Sequence, residues 1–447
     1  MKIGEGHSIY FLGIGGIGMS ALARYYHSLG FAIAGYDLTH SPLTKQLENE
    51  GMAIHYEDNP TLLPALVDFV VYTPAIPNTS KELAEIKRRN IKMMKRAQAL
   101  GEISKERFTI AVSGTHGKTT TTAMIAHILC ECGKDTTAFI GGIANSFNSN
   151  LHLGQTADSL LVAEADEFDR SFLQLHPNVS IVNSIDADHL DIYGDKEHLI
   201  KSFNDFVALT EEAVIYREGL PIDGCKKGIC FGLSHDCDFY ADEVTSSEGV
   251  TSFTIHSKDE TTRITIGMAG LHNVMNTTAA YIAARQVGIG GETIAKALAS
   301  FKGVRRRFDI RINNKKHCYI DDYAHHPEEI KSCLSAIRAS FPNRKITLIF
   351  QPHLFTRTRD FMEEFANTLA MADELILLDI YPARELPIEG ITSQALLEKI
   401  NLNAKMVCPK EDLLALIESK RPELLVTMGA GNIDRFVEPL EKMIATW

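Results

Sequence analysis

No run of about 18 consecutive apolar residues occurs in this chain, so it offers no transmembrane helix. The N-terminus, Met1-Lys2-Ile3-Gly4-Glu5-Gly6, lacks the basic and apolar regions of a signal peptide, and a cytoplasmic protein is expected. Zinc-like spacing is missing too. The eight cysteines (130, 132, 225, 230, 237, 318, 333 and 408) form no CxxC pair and no pattern with histidine, which fits scattered reduced thiols. Nor is there a cationic excess: the formal charge of −12 argues against binding nucleic acid by phosphate neutralisation. A small anionic substrate stays open, because a local cluster of Arg, His and backbone N–H can override the global sign. Short repeats and low-complexity tracts are absent. What is present, 447 residues with 45% hydrophobic and 23% charged, is ordinary for an enzyme and too long for one core, so two or three domains are expected.

Short apolar runs alternate with helical stretches. Ser8–Leu12, Ala32–Tyr36 and Phe69–Tyr72 read as strands and Gly18–Leu29 as a helix, a βαβ rhythm that implies a parallel sheet. A basic stretch over Lys81–Leu100 reads as helical and leads to Gly101, a candidate hinge or boundary. A second unit begins with a strand at Phe108–Val112 and a helix over Lys118–Cys132, followed by strands at Ser159–Ala163 and Val179–Asn183. Residues 213–266, rich in Thr and Ser, read as antiparallel strands or an insert, before helices over Val274–Gln286 and Thr293–Phe301. The third unit has strands at Cys318–Ile320, Lys345–Phe350, Glu374–Leu378 and Leu424–Met428, again with helices between them.

Gly114-Thr115-His116-Gly117-Lys118-Thr119-Thr120 carries the strongest signal. Placed between strand and helix, such a loop aims backbone N–H groups at phosphate. Lys118, on what reads as a solvent-facing loop, would neutralise the β- and γ-phosphates, and the Thr119 hydroxyl would bind Mg²⁺. Val112 stands where a phosphate loop usually has its first glycine. Glu164, the first polar residue after the next strand, is the candidate metal-holding acid. Asp166, Glu167 and Asp169, each alone, fit a solvated loop. His189, between Asp188 and Asp191, is a candidate ligand for a second Mg²⁺.

Near the N-terminus, Gly13-Ile14-Gly15-Gly16-Ile17-Gly18 fits GxGxxG, and Asp37 ends the next strand. Alone this pattern suggests NAD with Asp37 on a ribose hydroxyl, yet the loop requires only a diphosphate on a helix N-terminus. The third unit supplies Arg305-Arg306-Arg307, Asp321-Asp322-Tyr323-Ala324-His325-His326-Pro327 and Gln351-Pro352-His353 with Arg357 and Arg359. Both histidine segments follow strands, where α/β sheets place ligands.

Taken together and in order, these motifs resemble the Mur ligase family over essentially the whole chain. The resemblance implies three α/β domains. Residues 1–105 would be Rossmann-like, 106–303 a P-loop ATPase-like, mostly parallel sheet with a smaller β insert, and 304–447 Rossmann-like again. It further implies an ATP- and Mg²⁺-dependent ligase joining L-alanine to the carboxylate of UDP-N-acetylmuramate through an acyl phosphate, acting as a monomer or homodimer with neither membrane nor nucleic acid. Carried over residue by residue, Gly13, Gly15, Gly16, Gly18, Met19, Ser20 and Asp37 would bind the UDP-sugar. The loop from Gly114 to Thr120, with Asn273 and Asn276, would bind ATP. Thr119, Glu164 and His189 would hold metal, His325, His353 and Arg357 the amino acid. Lys118, Arg307 and His325 would be catalytic. Two positions depart from the pattern: Leu354 replaces a basic residue common in the family, and Lys201-Ser202-Phe203-Asn204 offers no counterpart to the carboxylated lysine of several members. A related ligase that recycles a tripeptide onto the same nucleotide is the near alternative. A nicotinamide oxidoreductase leaves the Lys118 loop unexplained, and a nucleotide switch needs neither Arg307 nor His325.

Overall fold

The computed structural model describes residues 7–186, 193, 195–223, 225, 227–383 and 385–447. The chain divides into two compact units: Met1–Tyr240 with His256–Thr262 and Met275–Leu298, and Ala241–Ile255 with Arg263–Val274 and Ala299–Trp447.

The first sheet comprises β1 (Ser8–Leu12), β2 (Ala32–Tyr36), β3 (Ala53–His55), β4 (Phe69–Tyr72) and β5 (Met93–Lys95) in the order β3-β2-β1-β4-β5, all parallel. Tyr10, Phe11 and Leu12 are fully buried, as expected of a central parallel strand covered on both faces. The order reverses between β1 and β4, so the loop after β1 opens at the topological switch point, where such sheets bind ligands.

Lys81–Leu100 is not one helix. A helix over Lys81–Arg88 stops where Asn90 turns left-handed (φ 54°), β5 follows, and a second helix spans Arg96–Ser104. A three-residue edge strand is too short to show a period of its own, so it hid inside the helical pattern. Gly101 is no hinge either. It is buried within the second helix, and its missing Cβ lets the Gln174 carbonyl approach.

The central strands are β6 (Thr109–Ser113), β7 (Thr136–Ala144), β8 (Ser149–His152), β9 (Leu160–Glu164), β10 (Val179–Val182), β11 (Ala213–Arg217), β12 (Gly228–Gly232), β13 (Phe239–Ser247), β14 (Val250–Ser257) and β15 (Thr261–Ile266). Their order is β15-β14-β13-β12-β11-β10-β6-β9-β7-β8, with β8 antiparallel to β7. The expectation of antiparallel strands or an insert over 213–266 is corrected for β11, β12 and β13, which extend the sheet in parallel. The β7–β8 hairpin reaches the helix that follows β1. There Asn150 donates to Ile17 O (2.5 Å) and Ser20 Oγ (2.9 Å) while accepting from Arg24 (2.5 Å).

In the second unit β16 (Asp309–Asn313), β17 (Cys318–Asp322), β18 (Ile346–Phe350), β19 (Glu374–Leu377), β20 (Lys405–Val407) and β21 (Leu424–Met428) run in the order β16-β17-β21-β18-β19-β20. Only β16, at the edge, is antiparallel. Asp322 and Phe350 both register with Met428, so the segments after β17, β18 and β21 emerge side by side. Among the described residues no helix is long and apolar enough to cross a membrane.

Gly101→Ala should drive a methyl group into the Gln174 backbone and destabilise the protein by about 1–3 kcal/mol. Chemical denaturation of the two proteins measures this, and an unchanged midpoint would mean that the contact is slack.

Candidate active site

Strand β6 lies fully buried between β10 and β9 and delivers the chain into the glycine loop. Gly114 (φ +128°) and Gly117 (φ +82°) adopt backbone conformations that side chains resist. A Cβ on Gly114 would sit 2.8 Å from Ser184 N, and one on Gly117 would strike the Asn276 amide. The following helix, Lys118–Glu131, starts without a side-chain cap, which leaves its first N–H groups available to an anion.

Lys118 departs from expectation. Its side chain is only 13% exposed, and Nζ donates to both oxygens of Glu167 (2.9 and 2.8 Å) and to Gly114 O (2.7 Å). Burial alone would push the ammonium down, but Glu167, Asp166 and Glu164 outweigh it and hold it above the usual lysine value. The solvated-loop reading of the acids fails for Glu167, whereas Asp166 and Asp169 stay partly exposed. Glu167 is buried against Lys118, Asp166 pairs with Arg96 (3.1 Å), and Asp169 pairs with Lys95 (2.9 Å). Sequence spacing carried no signal for these partners, because Lys95 ends β5 and Arg96 opens the helix after it, about 70 residues earlier in the chain.

Thr119 and Glu164 do meet: Thr119 Oγ1 lies 3.2 and 3.0 Å from the two carboxylate oxygens, and Gly141 N–H donates to Oε2 (2.8 Å). A hydroxyl and a carboxylate converging at a phosphate loop are hard oxygen donors, the chemistry that suits Mg²⁺. His189 lies outside the described residues. Thr115 N–H donates to Ser184 O (3.1 Å), His116 N–H to Ser184 Oγ (2.9 Å), and Thr120 is buried. Asn276 abuts Gly117, whereas the Asn273 amide donates to Ala269 O (2.7 Å). Lys201 is exposed and pairs with Asp205 on its own helix (2.8 Å).

At the N-terminal loop Asp37 serves the backbone. Oδ2 accepts from Gly15 N–H (2.8 Å) and Oδ1 from Thr39 N–H (3.0 Å). Gly13 has φ +86°, a Cβ on Gly15 would clash with Asp37, and the Arg96 guanidinium covers Gly18. Gly16 precedes the uncapped helix Ile17–Ser28. Met19 and Ser20 are buried, Met19 in the core and Ser20 beneath Asn150, so their side chains seat that helix.

In the second unit the C-terminal motifs form one cluster. Arg306 and Arg307 place their guanidinium groups 5.0 and 4.9 Å from the Tyr323 ring centre. Asp322 clamps the segment by accepting from Phe308 N–H (2.6 Å) and Ala324 N–H (2.8 Å). Asp321, fully buried, is pushed up to about 7 by burial, against the pull of Arg306 at 3.5 Å. The rings of His325 and His353 are 6.0 Å apart, and Arg357 donates to His353 Nδ1 (3.3 Å). His325 Nδ1 faces the Tyr323 carbonyl (2.9 Å), which can only accept, so the proton sits on Nδ1 and Nε2 keeps its lone pair. Burial, aided by Arg357, pushes both imidazoles down, His353 to about 4. Tyr323, Tyr381 stacked on His353, and Glu329 beside His325 were not singled out from the sequence.

Residues 8–108 match the profile described as Mur ligase family, catalytic domain, residues 112–284 the Mur ligase middle domain, and residues 306–431 the Mur ligase, glutamate ligase domain. The chain belongs to the Mur ligase family. Among relatives of this Mur ligase, UDP-N-acetylmuramate–L-alanine ligase from Cytophaga hutchinsonii is 46% identical over 99% of this chain and 97% of its own. The enzyme of that name from Flavobacterium psychrophilum is 47% identical over 99% of both. The crystal structure of UDP-N-acetylmuramate–alanine ligase from Thermotoga maritima superposes with a TM-score of 0.83 at 28% identity, covering 97% of this chain and 99% of that one. Murein peptide ligase from Psychrobacter arcticus shares the fold at a TM-score of 0.74 and 24% identity, over 99% of each chain.

Two outcomes are expected from these geometries. Lys118→Ala leaves the Glu167 carboxylate buried without its partner, so it should cost about 3–5 kcal/mol of stability. Combining it with Glu167→Gln should recover much of that loss in a double-mutant cycle measured by denaturant unfolding. Strict additivity would show that the pair does not interact. His353 binds its proton less readily folded than unfolded. Between pH 6.5, the ordinary histidine value, and about 4, the unfolded state therefore takes up more protons, and stability falls as pH drops. Denaturant titrations across that window should show His353→Asn flattening the loss. An equal slope in both proteins would assign the acid sensitivity to other groups.

Proposed function

We propose that this Mur ligase joins L-alanine to UDP-N-acetylmuramate at the expense of ATP, the first amino-acid addition in making a peptidoglycan precursor. What carries the reading is end-to-end likeness to enzymes of that name at 46–47% identity, with a phosphate loop whose Thr119 and Glu164 already converge. In our reading residues 1–105 take the UDP-sugar, 106–303 take ATP, and 304–447 take the amino acid. ATP chemistry places the reaction in the cytoplasm.

We assign the diphosphate of the UDP-sugar to the uncapped N-terminus of the helix Ile17–Ser28, because the N–H groups of Gly13–Gly16 are spent inside the loop whose shape Asp37 maintains. ATP phosphates belong on the loop from Gly114 to Thr120, where Lys118 offsets charge as the γ-phosphoryl group passes to the muramyl carboxylate. Thr119 and Glu164 would hold Mg²⁺, with His189 assigned to a second ion. When bound, Mg²⁺ neutralises charge on the phosphate oxygens. We assign Arg307 to the charge on the acyl phosphate. Arg357 is assigned to the alanine carboxylate, since a guanidinium grips a carboxylate with paired hydrogen bonds. His325, neutral with Nε2 unprotonated, is our choice to take the proton released as the amine attacks and phosphate leaves.

Phosphate release should require UDP-N-acetylmuramate, ATP, Mg²⁺ and L-alanine together. Release with a tripeptide and not with alanine would instead support the recycling ligase. Arg357→Ala should raise the KM for alanine steeply, by about 2–5 kcal/mol in binding, and spare the affinity for ATP. Lost ATP affinity with an unchanged alanine KM would move Arg357 to the nucleotide site.

A further inference from the structure

Cysteine was read from sequence as scattered, and all eight thiols are free. Two of them nevertheless touch: the sulfurs of Cys230 and Cys237 lie 2.7 Å apart. Cys230 sits on β12 and Cys237 in the link to β13, and the surrounding chain pins both. Asp238 accepts from Cys230 N–H (2.8 Å), and Cys237 N–H donates to Ser234 O (3.1 Å). Glu218 accepts from Leu233 N–H (2.7 Å) and Ser234 N–H (3.2 Å). Both thiols are half-buried in a link whose residues Leu233, His235, Asp236 and Asp238 are exposed, so a small oxidant can reach them.

We propose that Cys230 and Cys237 form a redox-active pair that closes to an intramolecular disulfide when the protein meets a hydroperoxide. A disulfide bond is about 2.05 Å long, so the sulfurs need little further approach. Burial raises both thiols; either S–H can donate across the contact, which raises Cys237 further and works against the rise at Cys230, so we take Cys230 as the attacking sulfur. Its thiolate attacks one peroxide oxygen. The O–O bond breaks, a sulfenic acid forms, and the departing hydroxide takes a proton to leave as water. Cys237 then attacks the sulfenic sulfur; the S–S bond forms, the S–O bond breaks, and a second water leaves with the Cys237 proton. The two sulfurs together lose two electrons and the peroxide gains them. With the resolving thiol already in contact, the sulfenic acid is captured before further oxidation to sulfinic acid.

Trypsin leaves both residues in one peptide, Gly228–Lys258. The full-length reduced protein is treated with hydrogen peroxide, alkylated with iodoacetamide in denaturant, digested and weighed. The expected result is that this peptide loses two hydrogens and carries no alkyl group, and that dithiothreitol before alkylation restores both alkyl groups. Cys230→Ser should abolish the unalkylated form, and Cys237→Ala should leave Cys230 to proceed to sulfinic acid. The proposal is overturned if both cysteines alkylate fully after peroxide at doses that oxidise other thiols. It is equally overturned if the wild-type peptide gains oxygen without a crosslink, or if Cys230 bonds to Cys225 or to another chain.

Discussion

Inside the first unit, the Glu167 carboxylate holds the Lys118 ammonium charged in a place where burial works against it. The pair ties the first turn of the helix after the glycine loop to the acidic segment after β9. The Gly114 carbonyl completes the lysine's donor set, which is possible only because Gly114 and Gly117 take backbone angles closed to other residues. What reads as a free cation in the sequence is a shared one in the fold, so any anion approaching this loop meets a lysine already bound to a carboxylate.

The same logic of strand ends recurs in each sheet. Parallel strands finish at a common edge, and wherever strand order reverses, the loops part to leave a crevice. In the first sheet this happens after β1, and in the central sheet beside β6, where Glu164 stands next to Val112. In the last sheet the common register of Asp322, Met428 and Phe350 brings Tyr323, Gly429 and Gln351 out together. Histidines distant in sequence thereby become neighbours. Burial and Arg357, with His325 acting on His353 as well, push the imidazoles below the ordinary histidine value and favour the neutral form, in which they can accept a proton or a hydrogen bond.

Much of this was legible residue by residue. Runs such as Ser8–Leu12 and Leu424–Met428 are strands at the ends expected, because buried parallel strands are uninterrupted apolar stretches bounded by loops. Glycine loops do stand between strand and helix at both places, after β1 and after β6, and Thr119 lies against Glu164. Other features left no local trace. The strand β5 is too short to break the helical pattern around it, and β11 and β12 share the composition of antiparallel strands while pairing in parallel. Gly101 looked like a joint because glycine usually is one, but here it admits a neighbouring carbonyl.

The sequence by itself determined which groups the chain places where: glycine loops between strand and helix, an acid at the end of a strand, and a set of cations and imidazoles just after strands. Those properties are local, written in residue type and spacing. Only the tertiary structure decided the charge relationships, because they join residues far apart in the chain, as where Arg96 and Lys95 at the end of the first sheet meet Asp166 and Asp169 in the segment after β9. Desolvation and pairing depend on what surrounds a group in space, and chain order does not specify that. So Asp37 became a brace for its own loop, Lys118 became buried and paired, and two unremarked cysteines came into contact.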